Sequence, residues 1–350
     1  MIEIVKNLDL DDWRDYCDRC PAALFTHLPG WLTNLAATYD LPSFFLLART
    51  SGPPSATVGV LPLLLFSPPD ATSRLISLPY SDFAGVLADN QEAGCRLVEA
   101  ALDLAEEVGA AHLELRQRDW HAADGPYHAG SRWRHTAHAF KVSLRRQLPR
   151  SSPELWDGLS AKVRNQVRKA YRSGCAGRIG GSELLEDFHA VFAENMRDLG
   201  SPTHDFGLFR QAILCDSPRA RCIVIYCRNV PVAGAMVFQH AGTLSNPWAA
   251  SLRRFRIFCP NMLLYWLMLC HGIEQGCSCF DFGRSSPGTG TCRFKMQWGA
   301  SVQPLTWHVF SISPSEWRPE NESLVYDDWK SMDISSSIRL GPNIRRWISL

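Results

Sequence analysis

At 350 residues and 46% hydrophobic, the chain is long enough to build two domains, each with its own core. A net charge of +1 excludes a protein coated for non-specific nucleic-acid binding, so any basic surface has to be local. The longest apolar run, Met262–Cys270, is far short of the roughly 20 residues a membrane-spanning helix needs.

The opening MIEIVKNLDLDDW carries acids where an export signal needs an apolar core, so no such signal is expected. Its twelve cysteines form no framework and offer no set of four convergent metal ligands. No metal site is expected, and the thiols are read as reduced in a cytosolic protein.

Ile2–Val5 reads as a strand and Asp9–Cys17 as the start of an amphipathic helix. The turn at residues 27–31 leads into a second helix. Strands follow at Ser43–Arg49, Val58–Phe66 and Leu75–Leu78, separated by Gly, Pro and Ser turns. After the loop Pro79–Gly85, apolar residues at 95, 98, 101, 102, 105 and 108 predict a helix over Glu92–Val108. His112–Arg116 and His138–Leu144 are the next strands.

A single helix is expected from Ser152, its possible cap, through Leu155, Leu159, Val163, Val167 and Tyr171 to Gly174. Its polar side carries Lys162, Arg164, Arg168, Lys169 and Arg172. A further helix covers Leu184–Leu199, and strands cover Cys222–Cys227, Val232–Phe238 and Leu244–Ser251. Asn261 can cap a helix that is apolar nearly all round. Phe280–Phe282 and Leu305–Phe310 close the set of strands. Strands, a long helix and a strand thus occur in 43–116 and again in 222–282. The expected organisation is two α/β halves with mixed sheets, 1–150 and 151–312, and a polar tail at 313–350.

The stretch FDFGRSSPGTGTCRFKMQWG, Phe280–Gly299, concentrates the candidate chemistry. A strand delivers Asp281 and Arg284 into a loop with Gly288 and Gly290, and Arg293 and Lys295 follow. An α/β protein builds polar sites in this way at the ends of its strands. A tight connection held by an Asp–Arg pair fits the same spacing.

The chain resembles the Fem-type peptidyltransferases, FemA/FemB-like enzymes with two GNAT-like halves. More specifically, it is similar to the FemAB-like subgroup associated with exosortase/PEP-CTERM and exopolysaccharide clusters. The resemblance rests on Ser77–Gly85, Leu113–Arg116, Lys162–Ala170, Asn195–His204, Trp248–Ser251, Asn261–Trp266 and Phe280–Gly299, taken in one order. It implies two tandem GNAT-like N-acyltransferase halves. It also implies amide formation by direct attack of an amine, with no metal and no covalent enzyme intermediate.

The Phe-Lys pair matching Phe294-Lys295 lies at the family's acyl-transfer centre, where the Lys stabilises the tetrahedral oxyanion. Family enzymes take an aminoacyl group from aminoacyl-tRNA and give it to an amine of a cell-wall precursor. The expected acceptor here is an amine of an envelope or exopolysaccharide precursor. This chain lacks the coiled-coil insertion that some members use for tRNA. It also lacks a clear match for the Lys that grips sugar-nucleotide phosphates.

The fold's other donor is acyl-CoA, held on a glycine-rich loop that the equivalent segment Arg253–Pro260 does not contain. No tightly bound cofactor and no DNA partner are expected. A cytoplasmic location is expected, and peripheral association with the inner face of the membrane stays open. So does a non-catalytic binding module of the same machinery.

Lys295 is the expected catalytic residue, with Phe294 beside it. Asp281 either orients the amine or pairs structurally with Arg284 or Arg293. Arg284, Ser285, Arg293, Asp82, Tyr80 and Trp248 are the candidate substrate contacts, although Asp82 also suits an Asx-turn and Trp248 also suits a core. The stripe Lys162, Arg164, Arg168, Lys169 and Arg172 is either a solvated helix face or the site for an anionic donor.

Overall fold

Runs rich in Val, Ile, Leu and Phe, closed off by Gly and Pro, set the strands of both halves. The computed structural model describes residues 2–6, 10–69, 71–118, 132–215, 219–312 and 327–349. The chain forms two compact units. One comprises Met1–Val142, Gln303–Glu320 and Trp347–Leu350; the other comprises Ser143–Val302 and Asn321–Arg346.

The first unit begins β1 (Ile2–Lys6), α1 (Leu10–Arg19), α2 (Pro29–Tyr39), β2 (Ser43–Thr50) and β3 (Thr57–Phe66). It continues with β4 (Arg74–Ile76), β5 (Leu87–Ala88), α3 (Gln91–Glu107), β6 (His112–Gln117) and the start of β7 (Arg134–Gln147). Strands β1 to β4 pair antiparallel in sequence, and α3 then carries the chain over to β6, which pairs parallel with β4. Asn90 caps α3 by accepting from the Ala93 amide at 2.9 Å. The apolar face of α3, with Leu97, Val98, Ala101 and Ala105, packs into a core shared with Leu46, Leu61 and Leu113.

In the second unit β7 ends, and α4 (Ser152–Asp157), α5 (Ala161–Arg172), β8 (Cys175–Gly180), α6 (Leu185–Asp198) and α7 (Phe206–Leu214) follow. Next come β9 (Arg219–Cys227), β10 (Val230–His240), β11 (Thr243–Ser251), α8 (Pro260–Glu274), β12 (Cys279–Ser285) and α9 (Gly290–Met296). Strands β8 to β11 are antiparallel neighbours, and α8 crosses to β12, which lies parallel to β11. Each unit therefore repeats one plan: four antiparallel strands, a helical crossover and a parallel fifth strand. The echo between 43–116 and 222–282 is present.

Beyond α9 the chain forms β13 (Ser301–Ser311), paired with β6, then α10 (Asp327–Ser331) and α11 (Ile334–Arg345). Residues 313–326 of the polar tail lie outside the described residues, as does Asp9.

Several local expectations change. The single helix over 152–174 is two, because the chain turns at Gly158 and Ser160 caps α5 by accepting from the Val163 amide. Ser151, not Ser152, caps α4. At α8 the cap position is Cys259, left-handed at φ 60°, with Pro260 first in the helix and Asn261 inside it. Strand β8 and helix α7 were not anticipated. Nor was the disulfide joining Cys175 and Cys227, which face each other across β8 and β9. The other described cysteines are outside this disulfide.

Two buried polar clusters stand out. In the first unit Arg116 is fully buried and donates to Glu114 Oε1 (2.8 Å), Ser81 O (2.9 Å) and Ser349 O (2.9 Å), with its guanidinium over Trp307. The Tyr80 amide also donates to Ser349 O, at 2.6 Å. In the second unit Arg345 Nε donates to His204 Nε2 at 3.2 Å.

Burial, and then the Arg345 cation, hold the His204 imidazole well below its usual range, and burial lowers His189 too. Unfolded, both imidazoles take up protons near pH 6.5, so the stability they contribute is present above that pH and lost as it falls. We expect the unfolding free energy from urea titrations to drop as pH falls below about 6.5, by up to about 1.4 kcal/mol per histidine per pH unit. His204→Gln, which keeps an acceptor for Arg345, should flatten that dependence.

Candidate active site

Strands β11 and β12 pair only over Thr243–Ser245 and Cys279–Asp281. Both run on, to Ser251 and Ser285, without shared register. Asn246 begins the parting. Its Nδ2 donates to Met236 O (3.2 Å) and Trp248 O (2.9 Å) at a bulge against β10, which ties β11 to its other neighbour. Parallel strands that part at their carboxyl ends leave backbone groups for a ligand. The hydroxyls of Ser251 and Ser285, the last residues of the two strands, are buried and have no hydrogen-bond partner among the described residues. Buried polar atoms are rarely left so, which makes these two hydroxyls candidate contacts for a bound group.

Asp281 is the last paired residue of β12. Its Oδ1 accepts from the Gly283 amide at 2.8 Å and faces Ser143 Oγ at 3.5 Å, while Arg145 Nε lies 3.8 Å from Oδ2. Gly283 has φ 71°, which a Cβ would strain. Its carbonyl, with that of Arg284, accepts from the Lys295 ammonium, at 3.3 and 2.6 Å. Asp281 and Lys295 thus hold the amide and the carbonyl of one residue, Gly283, on the two peptide units that flank its Cα.

Lys295 is buried, at 6% exposure, and stands on α9 rather than on a loop. Thr289 starts α9 by accepting from the Cys292 amide. Ser285 and Arg284 lie beside this arrangement, but Arg293 is turned away, donating to Gly288 O at 2.6 Å. Phe294 packs edge-to-face on Tyr265 at 4.9 Å.

The sequence profile of the acetyltransferase (GNAT) domain matches residues 159–296. The crystal structure of FemX superposes with a TM-score of 0.70 at 14% identity, covering 87% of this chain and 96% of FemX. The C-terminal DUF2156 domain of a putative lysylphosphatidylglycerol synthetase from Agrobacterium fabrum superposes with a TM-score of 0.56 at 13% identity, covering 86% of this chain and 90% of that one. A tandem GNAT protein from the clavulanic acid biosynthesis pathway gives 0.53 at 14% identity, covering 90% and 100%. The fold is a tandem GNAT-like one. No curated protein matches the chain in sequence.

Within this GNAT-like fold the remaining candidates fall into place. Trp248 is buried among His204, Phe209 and Phe238, with ring centroids 5.0 to 6.0 Å away, a core position. Tyr80 and Asp82 belong to the first unit, where the Tyr80 ring packs on Tyr39 at 4.7 Å and Asp82 is half-buried. On α5, Arg164 donates to three carbonyls at the end of α4, Trp156, Asp157 and Leu159. Arg168 bonds Asn165 and lies over the Trp156 ring. Lys162, Lys169 and Arg172 are exposed and make no ion pair with a described residue.

Sequence reasoning passed over Ser143, Arg145 and Ser251. Strand alternation in Ser143-Leu144-Arg145 puts the two polar residues on one face, a signal that was there to be read.

The glycines of the turn separate cleanly. Gly288 has φ 76°, whereas Gly290 is helical and a Cβ there meets nothing within 4 Å. Gly288→Ala is expected to cost about 1–2 kcal/mol, and Gly290→Ala to be neutral or slightly stabilising. Thermal melts of the two variants check this.

Proposed function

We propose that the second unit is an acyl-transfer site that forms an amide on an amine acceptor. The observation that carries this is the parted β11–β12 pair, ending in two unpartnered hydroxyls, with a buried ammonium fixed on the Arg284 carbonyl next to Ser285. An extended acyl donor laid between the strands pairs with their free backbone groups. The acceptor amine attacks the ester or thioester carbonyl, forming the new C–N bond and a tetrahedral oxyanion. As that intermediate collapses, the C–O or C–S bond to the donor breaks and the amine's proton passes to the leaving alkoxide or thiolate, which departs as the alcohol or thiol. Lys295 stabilises the oxyanion. Asp281 acts as a positioning residue through Gly283, not as the base.

The acceptor class we favour is an amine of a cell-envelope or exopolysaccharide precursor, from the resemblance to FemAB-like proteins of PEP-CTERM clusters. The donor we favour is aminoacyl-tRNA. The turn Arg253–Phe258 has no glycine with which to cradle a CoA pyrophosphate, and α5 presents exposed cations. Acyl-CoA, the other donor used on GNAT folds, is the second reading.

Salt separates the two donors. With aminoacyl-tRNA, log affinity should fall steeply against log salt, by about 0.7–0.9 per phosphate contact. Lys169→Ala with Arg172→Ala should flatten the slope by roughly one unit per lost contact. Tight CoA binding by calorimetry with no tRNA retention at low salt would select acyl-CoA. Loss of neither donor on changing Lys295 or Ser285, with turnover intact, would overturn the site.

A further inference from the structure

Residues Arg253–Phe258 connect β11 to α8 as a 3-10 turn in which no residue is buried. Ile257 is 66% exposed, more than any other large hydrophobic residue described. Phe255 and Phe258 flank it, half-buried, with ring centroids 6.3 Å apart. Arg254 lies over the Phe255 ring and pairs with Glu194. Arg253 and Arg256 are exposed and pair with no described acid.

A turn that only held phosphate would use these arginines and gain nothing from an isoleucine in water. An apolar tip ringed by cations fits a surface that is anionic outside and apolar just beneath. We propose that this turn docks the second unit on an anionic lipid bilayer. Ile257 enters the boundary between headgroups and acyl chains, and Arg253 and Arg256 lie on the headgroup phosphates. This deepens the transfer reading, because the turn leads directly out of β11, but the docking itself stands on the turn alone.

Co-sedimentation of the full chain with vesicles tests it, with no donor or acceptor present, so its failure is separate from a failure of the transfer reading. Binding is expected to phosphatidylcholine–phosphatidylglycerol vesicles and not to phosphatidylcholine alone. Arg253→Ala and Arg256→Ala should each weaken it about fivefold, and added salt should weaken it further. Ile257→Glu should weaken it by more than about tenfold, with an unchanged thermal melt because the side chain is exposed. No vesicle binding, equal binding to both vesicle types, or binding untouched by Ile257→Glu overturns the proposal. Loss of a single-stranded RNA oligonucleotide in the arginine variants, with vesicle binding unaffected, makes the turn a nucleic-acid contact and overturns it as well.

Discussion

Lys295→Met is expected to lower turnover by about 10²–10³, equivalent to about 2.7–4 kcal/mol of transition-state stabilisation. Methionine keeps most of the volume, so α9 stays packed. The Gly283 and Arg284 carbonyls lose their ammonium donor, which should also cost about 1–3 kcal/mol of stability. The two effects separate experimentally: turnover is measured well below the melting temperature, and urea unfolding gives the stability. Lys295→Arg should not restore the rate, since a planar fork does not fill the place of a compact ammonium bonded to two carbonyls. Near wild-type turnover in Lys295→Met removes the residue from the mechanism.

Breaking the Cys175–Cys227 bond should have the largest effect on stability. The bridge closes a separation of 52 residues, for which loop-closure entropy in the unfolded chain gives about 4 kcal/mol, and measured effects typically reach 2–4. Cys175→Ser with Cys227→Ser is expected to lose that much in denaturant unfolding. Wild type in reductant should match the double variant. The reductant should then leave the variant itself unchanged, because Cys175–Cys227 is the one disulfide recorded among the described residues.

What the sequence could show was local. Helix α3 carries its period and its cap within one segment. The delivery of Asp281 and Lys295 by a strand, a left-handed glycine and a short capped helix also lies within a few residues. Local reading failed where a pattern continued across a break. Leu155, Leu159 and Val163 keep one helical period through Gly158, and only the Ser160 cap and the folding back of Arg164 reveal two helices.

It failed again at β8, an edge strand of small and exposed residues with no alternation to detect. The partners of the site are distant in the chain. Arg145 and Ser143 reach Asp281 from β7, and the two cysteines meet only once β8 has found β9. Arg164 is the sharpest case. It falls on the basic stripe by spacing, yet its guanidinium serves the end of the neighbouring helix.

The buried Arg116 carries a consequence for how the molecule is made. The hydrogen-bond acceptors named for it come from the first 120 residues and from Ser349, so the first unit's polar centre lacks one acceptor until residue 349 has left the ribosome. At about 5–20 residues per second, roughly tens of seconds pass between the emergence of Arg116 and of Ser349. Throughout that interval a guanidinium destined for complete burial sits in a half-built pocket. Residues 143–302, by contrast, supply every strand from β8 to β12 without a break. Assembly should therefore run against the direction of synthesis, with the later unit settling first and the earlier one closing last.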